Sequence, residues 1–217
     1  MQNHLLESKQ IFHIAGVDEV GVGPIAGPVV AAAVMFGQEI PRDLACLLDD
    51  SKKIKSSIRE QIYERLKILP KIQIGIAAAS VHEITHLNIR NATFLAMQRA
   101  VQKLSPKPKL IFIDGKFAPD FECITHAIIK GDGLSFSIAA ASIIAKVTRD
   151  RLMQRLSRKW TQYGWEQNAG YPTLNHRQAL ERYGICPHHR QSFLSIKQLS
   201  FEICQFKYGA VKMPNSL

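Results

Sequence analysis

Asp18 and Glu19 stand side by side at the end of an apolar run, Ile14-Ala15-Gly16-Val17, and a loop of glycines and prolines, Gly21 to Pro28, follows after Val20. Two adjacent carboxylates in an apolar setting are costly to bury unless something pairs with them. For carboxylates alone that partner is a hard divalent cation. Glycines beside them let a bulky ligand approach the backbone. Asp114 and Asp132 each come after a further apolar run and adjoin a glycine. Ligands of open α/β sheets gather at strand ends, so neighbouring strands would bring the four carboxylates together. Such a set cannot stay fully ionised without cations. One or two Mg²⁺ or Mn²⁺ ions would resolve the repulsion and create a centre for phosphodiester cleavage. Taken singly, Asp114-Gly115 and Asp132-Gly133 also suit ordinary turns. Neighbouring residues of a strand point to opposite faces, so Asp18 and Glu19 share a site only if the strand ends or bulges there.

The surrounding pattern supplies the elements that must position these groups. Ile11 to Val17 and Val29 to Met35 read as adjacent strands joined by the Gly/Pro loop, and Ile72 to Ala79, Leu110 to Ile113 and Cys123 to Ile129 read as three more. Ser56 to Leu69 has the spacing of an amphipathic helix, with Ile58, Ile62, Leu66 and Leu69 on one face. Val81 to Leu104 reads as a helix with a break near Asn88–Asn91, and a long helix runs from about Ser137 to Trp160 with shorter ones after it. The expected architecture is α/β: a mixed sheet flanked by helices, with a C-terminal helical extension. No linker divides the 217 residues, so a single domain is expected.

Composition narrows the partners. The net charge is +10, and residues 142–217 hold 12 Lys/Arg against 4 Asp/Glu, which places +8 of it there. Such a balance points to an acidic partner, most often nucleic acid. The cysteines at 46, 123, 186 and 204 form no CxxC pair and read as reduced, mostly buried thiols of a cytoplasmic protein. The N-terminal residues lack the pattern of a signal peptide, and no apolar run is long enough to span a membrane. Two motif matches are decoys. His82-Glu83-Ile84-Thr85-His86 fits HExxH, but its flanks offer no third zinc ligand. Gly21-x-Gly23-x-x-Ala26 weakly resembles a dinucleotide fingerprint, yet Asp18 and Glu19 would repel a pyrophosphate and Pro24 suits an extended turn.

The ordered series of motifs resembles bacterial ribonuclease HII. It runs from Gly16-Val17-Asp18-Glu19-Val20-Gly21 with Gly23-Pro24 and Ala26-Gly27-Pro28-Val29, through Asp50-Ser51-Lys52-Lys53 and Asn88-Ile89 with Ala92-Thr93, to Ile113-Asp114-Gly115 and Lys130-Gly131-Asp132. Ser137-Ile138-Ala139-Ala140-Ala141-Ser142-Ile143, Ala145-Lys146-Val147, Arg149-Asp150, Gly170-Tyr171-Pro172-Thr173 and His189-Arg190 with Ser192-Phe193 complete it. The likeness covers about residues 11–195 and leaves 196–217 as a basic C-terminal tail.

The resemblance implies a ribonuclease H-like fold. It implies cleavage of the RNA strand of RNA–DNA hybrids and nicking 5′ of a ribonucleotide embedded in duplex DNA, with 5′-phosphate and 3′-hydroxyl ends. Asp18, Glu19, Asp114 and Asp132 would be the metal-binding and catalytic carboxylates, with Mn²⁺ or Mg²⁺ and two ions in the active complex. Gly21, Val22 and Gly23 match a Gly-Arg-Gly loop that reads the ribose largely through its backbone, and Tyr171 matches a tyrosine at the RNA–DNA junction. Val22 departs from that pattern: backbone contacts survive, but an arginine's grip on phosphate does not. Ser142 and Lys146, four apart on one helix face, are candidate phosphate contacts with Ser51, Lys52 and Lys53. Ribonuclease HIII relatives have a different opening sequence and an extra N-terminal domain, and this chain is expected to have neither. A monomer is expected. The alternatives are a structure-selective DNA nuclease of the same fold, and a catalytically weakened nucleic-acid-binding relative.

Overall fold

The computed structural model describes residues 13–48 and 54–193. Ser51, Lys52, Lys53 and the tail from 196 onward lie outside the described residues.

Five strands form one mixed sheet: β1 (Ile14–Val20), β2 (Val29–Phe36), β3 (Ile72–Ala79), β4 (Leu110–Asp114) and β5 (Ile124–Ile128), in the order β3-β2-β1-β4-β5. β1 and β2 are antiparallel, as are β2 and β3, whereas β4 and β5 run parallel to β1. A short loop joins the antiparallel β1 and β2, whereas the strand pairs parallel to β1 need crossovers. The first crossover is helix α3 (Val81–Gln102), and the short helix α1 (Arg42–Ala45) and α2 (Ser56–Ile68) join β2 to β3. After β5 come a 3₁₀ turn, Gly131–Gly133, and then α4 (Phe136–Lys159), α5 (Trp165–Asn168) and α6 (Leu174–Tyr183).

β2 reads as a continuous apolar run because both of its faces are covered. Ala31, Ala33 and Met35 pack under α3, whereas Ala32 and Val34 pack against α2 and α4. The alanines Ala139, Ala140 and Ala141 of α4 are all fully buried and let this helix lie close on the sheet. Gly16 completes that fit: a Cβ there would stand 2.1 Å from the Ser137 carbonyl carbon. Only glycine allows α4 to begin directly over β1.

Caps fix the helix starts. The Ser80 hydroxyl accepts from the Glu83 N–H while the Glu83 carboxylate accepts from the Ser80 N–H, a capping box on α3. The expected break falls at Asn88, whose φ of 63° interrupts α3 and whose side chain accepts from the Asn91 N–H. Ser135 caps α4, and Thr173 caps α6. The C-terminal helices gather around Trp165, Tyr163, Met153 and Leu180, and this cluster packs beneath Ile25 and Ala26 of the β1–β2 loop.

Two expectations change. The first strand does not stop at Val17 but continues in unbroken register through Asp18 and Glu19 to Val20. The cysteines are not mostly buried: of the three described, all free, Cys46 is exposed, Cys123 intermediate and Cys186 buried. Among the described residues no helix is long and apolar enough to cross a membrane.

Candidate active site

β1 and β4 run parallel with Val17 opposite Ile113. Asp18 and Asp114 each stand one residue further along, close enough for the Asp114 charge to act on the Asp18 carboxyl. Asp18 is buried there, and its Oδ1 accepts from the Glu19 N–H at 2.7 Å. The Asp18 carboxyl is pushed well above the usual range, first by burial and then by the charges of Glu19 and Asp114. Hydrogen bonds from the Ser142 hydroxyl and the Glu19 N–H pull it back only in part.

Glu19 belongs to the opposite face, because strand residues alternate and β1 does not bulge. The difficulty posed by adjacent carboxylates is resolved by the end of the sheet. Glu19 and Asp114 line one cavity of about 270 Å³ at the rim, with Val22, Arg90, Lys116 and Phe117. Asp132 comes after a strand, β5, as expected. It sits in the 3₁₀ turn after β5, entered through Lys130 in a left-handed conformation. The Gly131 N–H donates to Asp114 Oδ1 at 2.7 Å and ties this turn to the end of β4.

Among the described residues no three His, Cys, Asp or Glu side chains already form a closed cage for an ion. The donor set nevertheless fits Mg²⁺ or Mn²⁺. Small hard cations keep several waters and take one or two carboxylates plus substrate phosphates, rather than a complete protein cage. Burial lifts the Asp18 carboxyl most, and the added repulsion from Glu19 and Asp114 is what a cation between the three would remove.

The loop beside the carboxylates is held by two buried arginines. Arg190 donates to the carbonyls of Gly21 (2.5 Å), Val22 (2.9 Å) and Gly27 (2.9 Å). Arg149 donates to the carbonyls of Pro28 (3.0 Å), Ala26 (3.1 Å) and Ala169 (2.9 Å). Burial lowers both guanidinium pKa values, to about 9 for Arg190 and about 10 for Arg149. Gly21 turns at φ 95° with its α-carbon against Arg149, a place where a side chain has neither the conformation nor the room. The loop leads into β2 rather than a helix, which disposes of the dinucleotide reading.

Tyr171 joins the loop from the other side. The Ile25 N–H donates to the Gly170 carbonyl at 2.9 Å, and the Tyr171 ring stands beside Gly23, 47% exposed. Its backbone rests on a buried polar network. The Cys186 N–H donates to His189 Nδ1 at 2.9 Å, which leaves the His189 proton on Nε2. That nitrogen and Trp165 Nε1 both donate to His176 Nε2 at 3.1 Å, so His176 carries its proton on Nδ1 and donates to the Tyr171 carbonyl at 2.8 Å. Burial, with the neighbouring imidazoles, pushes His189 down to about 4, and burial lowers His176.

Two proposed phosphate contacts look different in place. Ser142 is buried and bonded to Asp18, so it orients a carboxylate instead of meeting solvent phosphate. Lys146 pairs with Asp150 at 2.8 Å. In the HExxH stretch, Glu83 caps α3 and pairs with Arg99 at 2.7 Å, while His86 contacts the His82 carbonyl. Sequence reasoning assigned no role to Arg149, Arg190, His176 or His189. Arg149-Asp150 and His189-Arg190 stand among the family-like motifs, whereas His176 carries no local signal.

Comparison with known proteins agrees with this geometry. A sequence model of the ribonuclease HII family matches residues 15–198. A protein named ribonuclease HII from Granulibacter bethesdensis is 53% identical over 187 residues, covering 86% of this chain and 85% of that one. Another from Gluconobacter oxydans is 50% identical over 199 residues, covering 92% and 96%. The crystal structure of ribonuclease H2 from Pyrococcus horikoshii superposes with a TM-score of 0.74 at 26% identity, covering 88% of this chain and 98% of that chain. The mixed sheet between helices is the ribonuclease H-like fold.

Proposed function

The chain belongs to the ribonuclease HII family, and from that premise we propose that it is a divalent-metal-dependent endonuclease that cleaves RNA–DNA hybrids and nicks duplex DNA 5′ of an embedded ribonucleotide. As a ribonuclease H-type hydrolase it breaks a phosphodiester with water. The water oxygen joins phosphorus, the bond to the upstream 3′ oxygen breaks, and that oxygen takes a proton. The products are a 3′-hydroxyl and a 5′-phosphate.

The observation that carries the reading is the pair Asp18 and Asp114, close together on parallel strands beside a loop braced at both ends. Asp18, Glu19, Asp114 and Asp132 would hold Mn²⁺ or Mg²⁺, with two ions in the active complex. The ions supply charge neutralisation and activation of water for an in-line displacement. The protein's own groups prepare the site. Ser142 and the Glu19 N–H orient the Asp18 carboxylate, and the Gly131 N–H orients Asp114. Arg149 and Arg190 fix the carbonyls of the loop, so that the backbone of Gly21, Val22 and Gly23 meets the ribose as a preformed surface. Reading RNA against DNA requires contact with the 2′-hydroxyl, which a rigid backbone can make. The exposed Tyr171 ring beside Gly23 offers a plane for the junction sugar. The protein acts as a monomer.

The test is cleavage of three duplexes, one with a single ribonucleotide, one RNA–DNA hybrid and one all-DNA, in Mn²⁺, Mg²⁺ or EDTA. Metal-dependent cutting of the first two only is expected. Cutting of the all-DNA control would favour a structure-selective DNA nuclease, and no cutting at all would favour a binding relative. Val22→Arg is expected to change affinity or the preference between the first two substrates. No change in either sinks a role for this position.

A further inference from the structure

The cavity at the sheet rim carries more chemistry than the carboxylates use. Glu19 and Asp114 form one side of it, and Arg90, Lys116, Phe117 and Val22 line the rest. Arg90 lies on the first turn after the break at Asn88. Its guanidinium stacks 4.3 Å from the Phe117 ring centroid and 5.5 Å from that of Phe94. Among the described residues no acidic side chain pairs with it, although many other surface cations here are paired, including Arg65, Lys67, Arg99, Lys146 and Arg151. Phe117 is 60% exposed and Val22 40% exposed, both at the edge of the cavity.

We propose that this cavity is a substrate subsite that takes one backbone phosphate flanking the cleaved bond, held by Arg90 and Lys116, with the adjoining sugar against Phe117 and Val22. The inference rests on the nucleic-acid reading above and adds the residues that hold the strand next to the carboxylates. A guanidinium held over aromatic rings still has its N–H donors to offer, and their fork suits bidentate contact with a phosphate. Stacking on rings limits its rotamer freedom, so less is lost on binding. The exposed ring provides the sequence-tolerant apolar contact that nucleic-acid grooves use beside their cations. Position decides which phosphate: the same cavity holds Glu19 and Asp114, so a strand threaded past the carboxylates places a neighbouring phosphate within it.

The experiment is fluorescence anisotropy of a labelled duplex with one ribonucleotide, titrated with protein in EDTA across a series of salt concentrations. Arg90→Ala is expected to weaken binding about 10-fold to 100-fold, the usual range for a lost charge-assisted contact. It should also reduce the slope of log affinity against log salt by about 0.9, the value for one phosphate. Arg90→Lys should keep the slope and recover part of the affinity, and Phe117→Ala should weaken binding with the slope intact. Arg90 and Phe117 are exposed, so thermal melts of these variants should match wild type. If wild type binds and Arg90→Ala shows the same affinity and slope, the subsite is refuted while the nuclease reading stands. If wild type does not bind the duplex at all, both fall.

Discussion

The buried histidines beneath Tyr171 make the fold sensitive to mild acid. His176 and His189 are fully buried, and their tautomers are set by the Cys186 N–H on one side and the Tyr171 carbonyl on the other. His176 Nε2 accepts from two donors, Trp165 Nε1 and His189 Nε2. A proton taken up by His189 goes to Nδ1, where it would turn the hydrogen bond from the Cys186 N–H into a repulsion. The His189 pKa is about 4 in the folded protein, against an ordinary histidine value near 6.5. The folded value lies below the unfolded one, so the stability this group contributes is complete above about pH 6.5 and is lost as pH falls toward 4. Linkage between these two values gives a loss of about 2 kcal/mol by pH 5 and about 3 kcal/mol below pH 4. The assay is urea unfolding of wild type and His189→Gln at pH 8, 6.5 and 5. The variant keeps His176 but lacks the His189 titration, and should lose about 2 kcal/mol less between pH 8 and 5, whatever its stability at pH 8. Equal losses in the two proteins would refute the argument. Cleavage after an acid pulse gives a second readout, because the network supports the Tyr171 backbone.

Other substitutions probe the remaining supports. Ser142→Ala removes a hydroxyl bonded to Asp18 and should reduce metal affinity or activity about 10-fold to 100-fold, as loss of an outer support for a metal ligand does; a Mg²⁺ titration of cleavage that matches wild type would contradict it. Gly16→Ala drives a methyl to 2.1 Å from the Ser137 backbone and should destabilise the fold by about 1–3 kcal/mol while lowering turnover, because α4 carries Ser142 away from Asp18. An unchanged melting temperature would show that α4 shifts freely. Arg190→Lys keeps the charge but cannot reach three carbonyls at once, so unfolding should become easier by about 3 kcal/mol. Its cleavage of the single-ribonucleotide duplex should fall more than that of the hybrid, and an equal fall in both would detach the loop from ribose reading.

Local chemistry accounts for much of what was legible in advance. The strands, the long helices and the break at Asn88 all follow from periodicity and from residue types at punctuated positions. The roles of the buried cations did not. A sequence with a net charge of +10 reads its arginines as surface, yet Arg149 and Arg190 are 1% and 0% exposed. Part of the basic excess in the C-terminal third therefore braces a loop from within. Ser142 shows the same limit: spacing places it on a face with Lys146 but does not say that this residue meets Asp18.

The sequence by itself determined which groups could perform the chemistry, because acidity, flexibility and apolar patterning are properties of residues and their near neighbours. Only the tertiary structure decided how those groups meet. The pairing of β1 with β4 sets Asp18 beside Asp114 across a wide gap in the chain, and no local rule encodes that register. It sends Asp18 and Glu19 to opposite faces and joins Glu19 and Asp114 again at the rim. Packing of the C-terminal segments buries Arg149 and Arg190 under the loop that follows Asp18 and Glu19, and His176 and His189 beneath Tyr171. Contacts between distant segments form only where packing and hydrogen bonding of the whole domain are satisfied together.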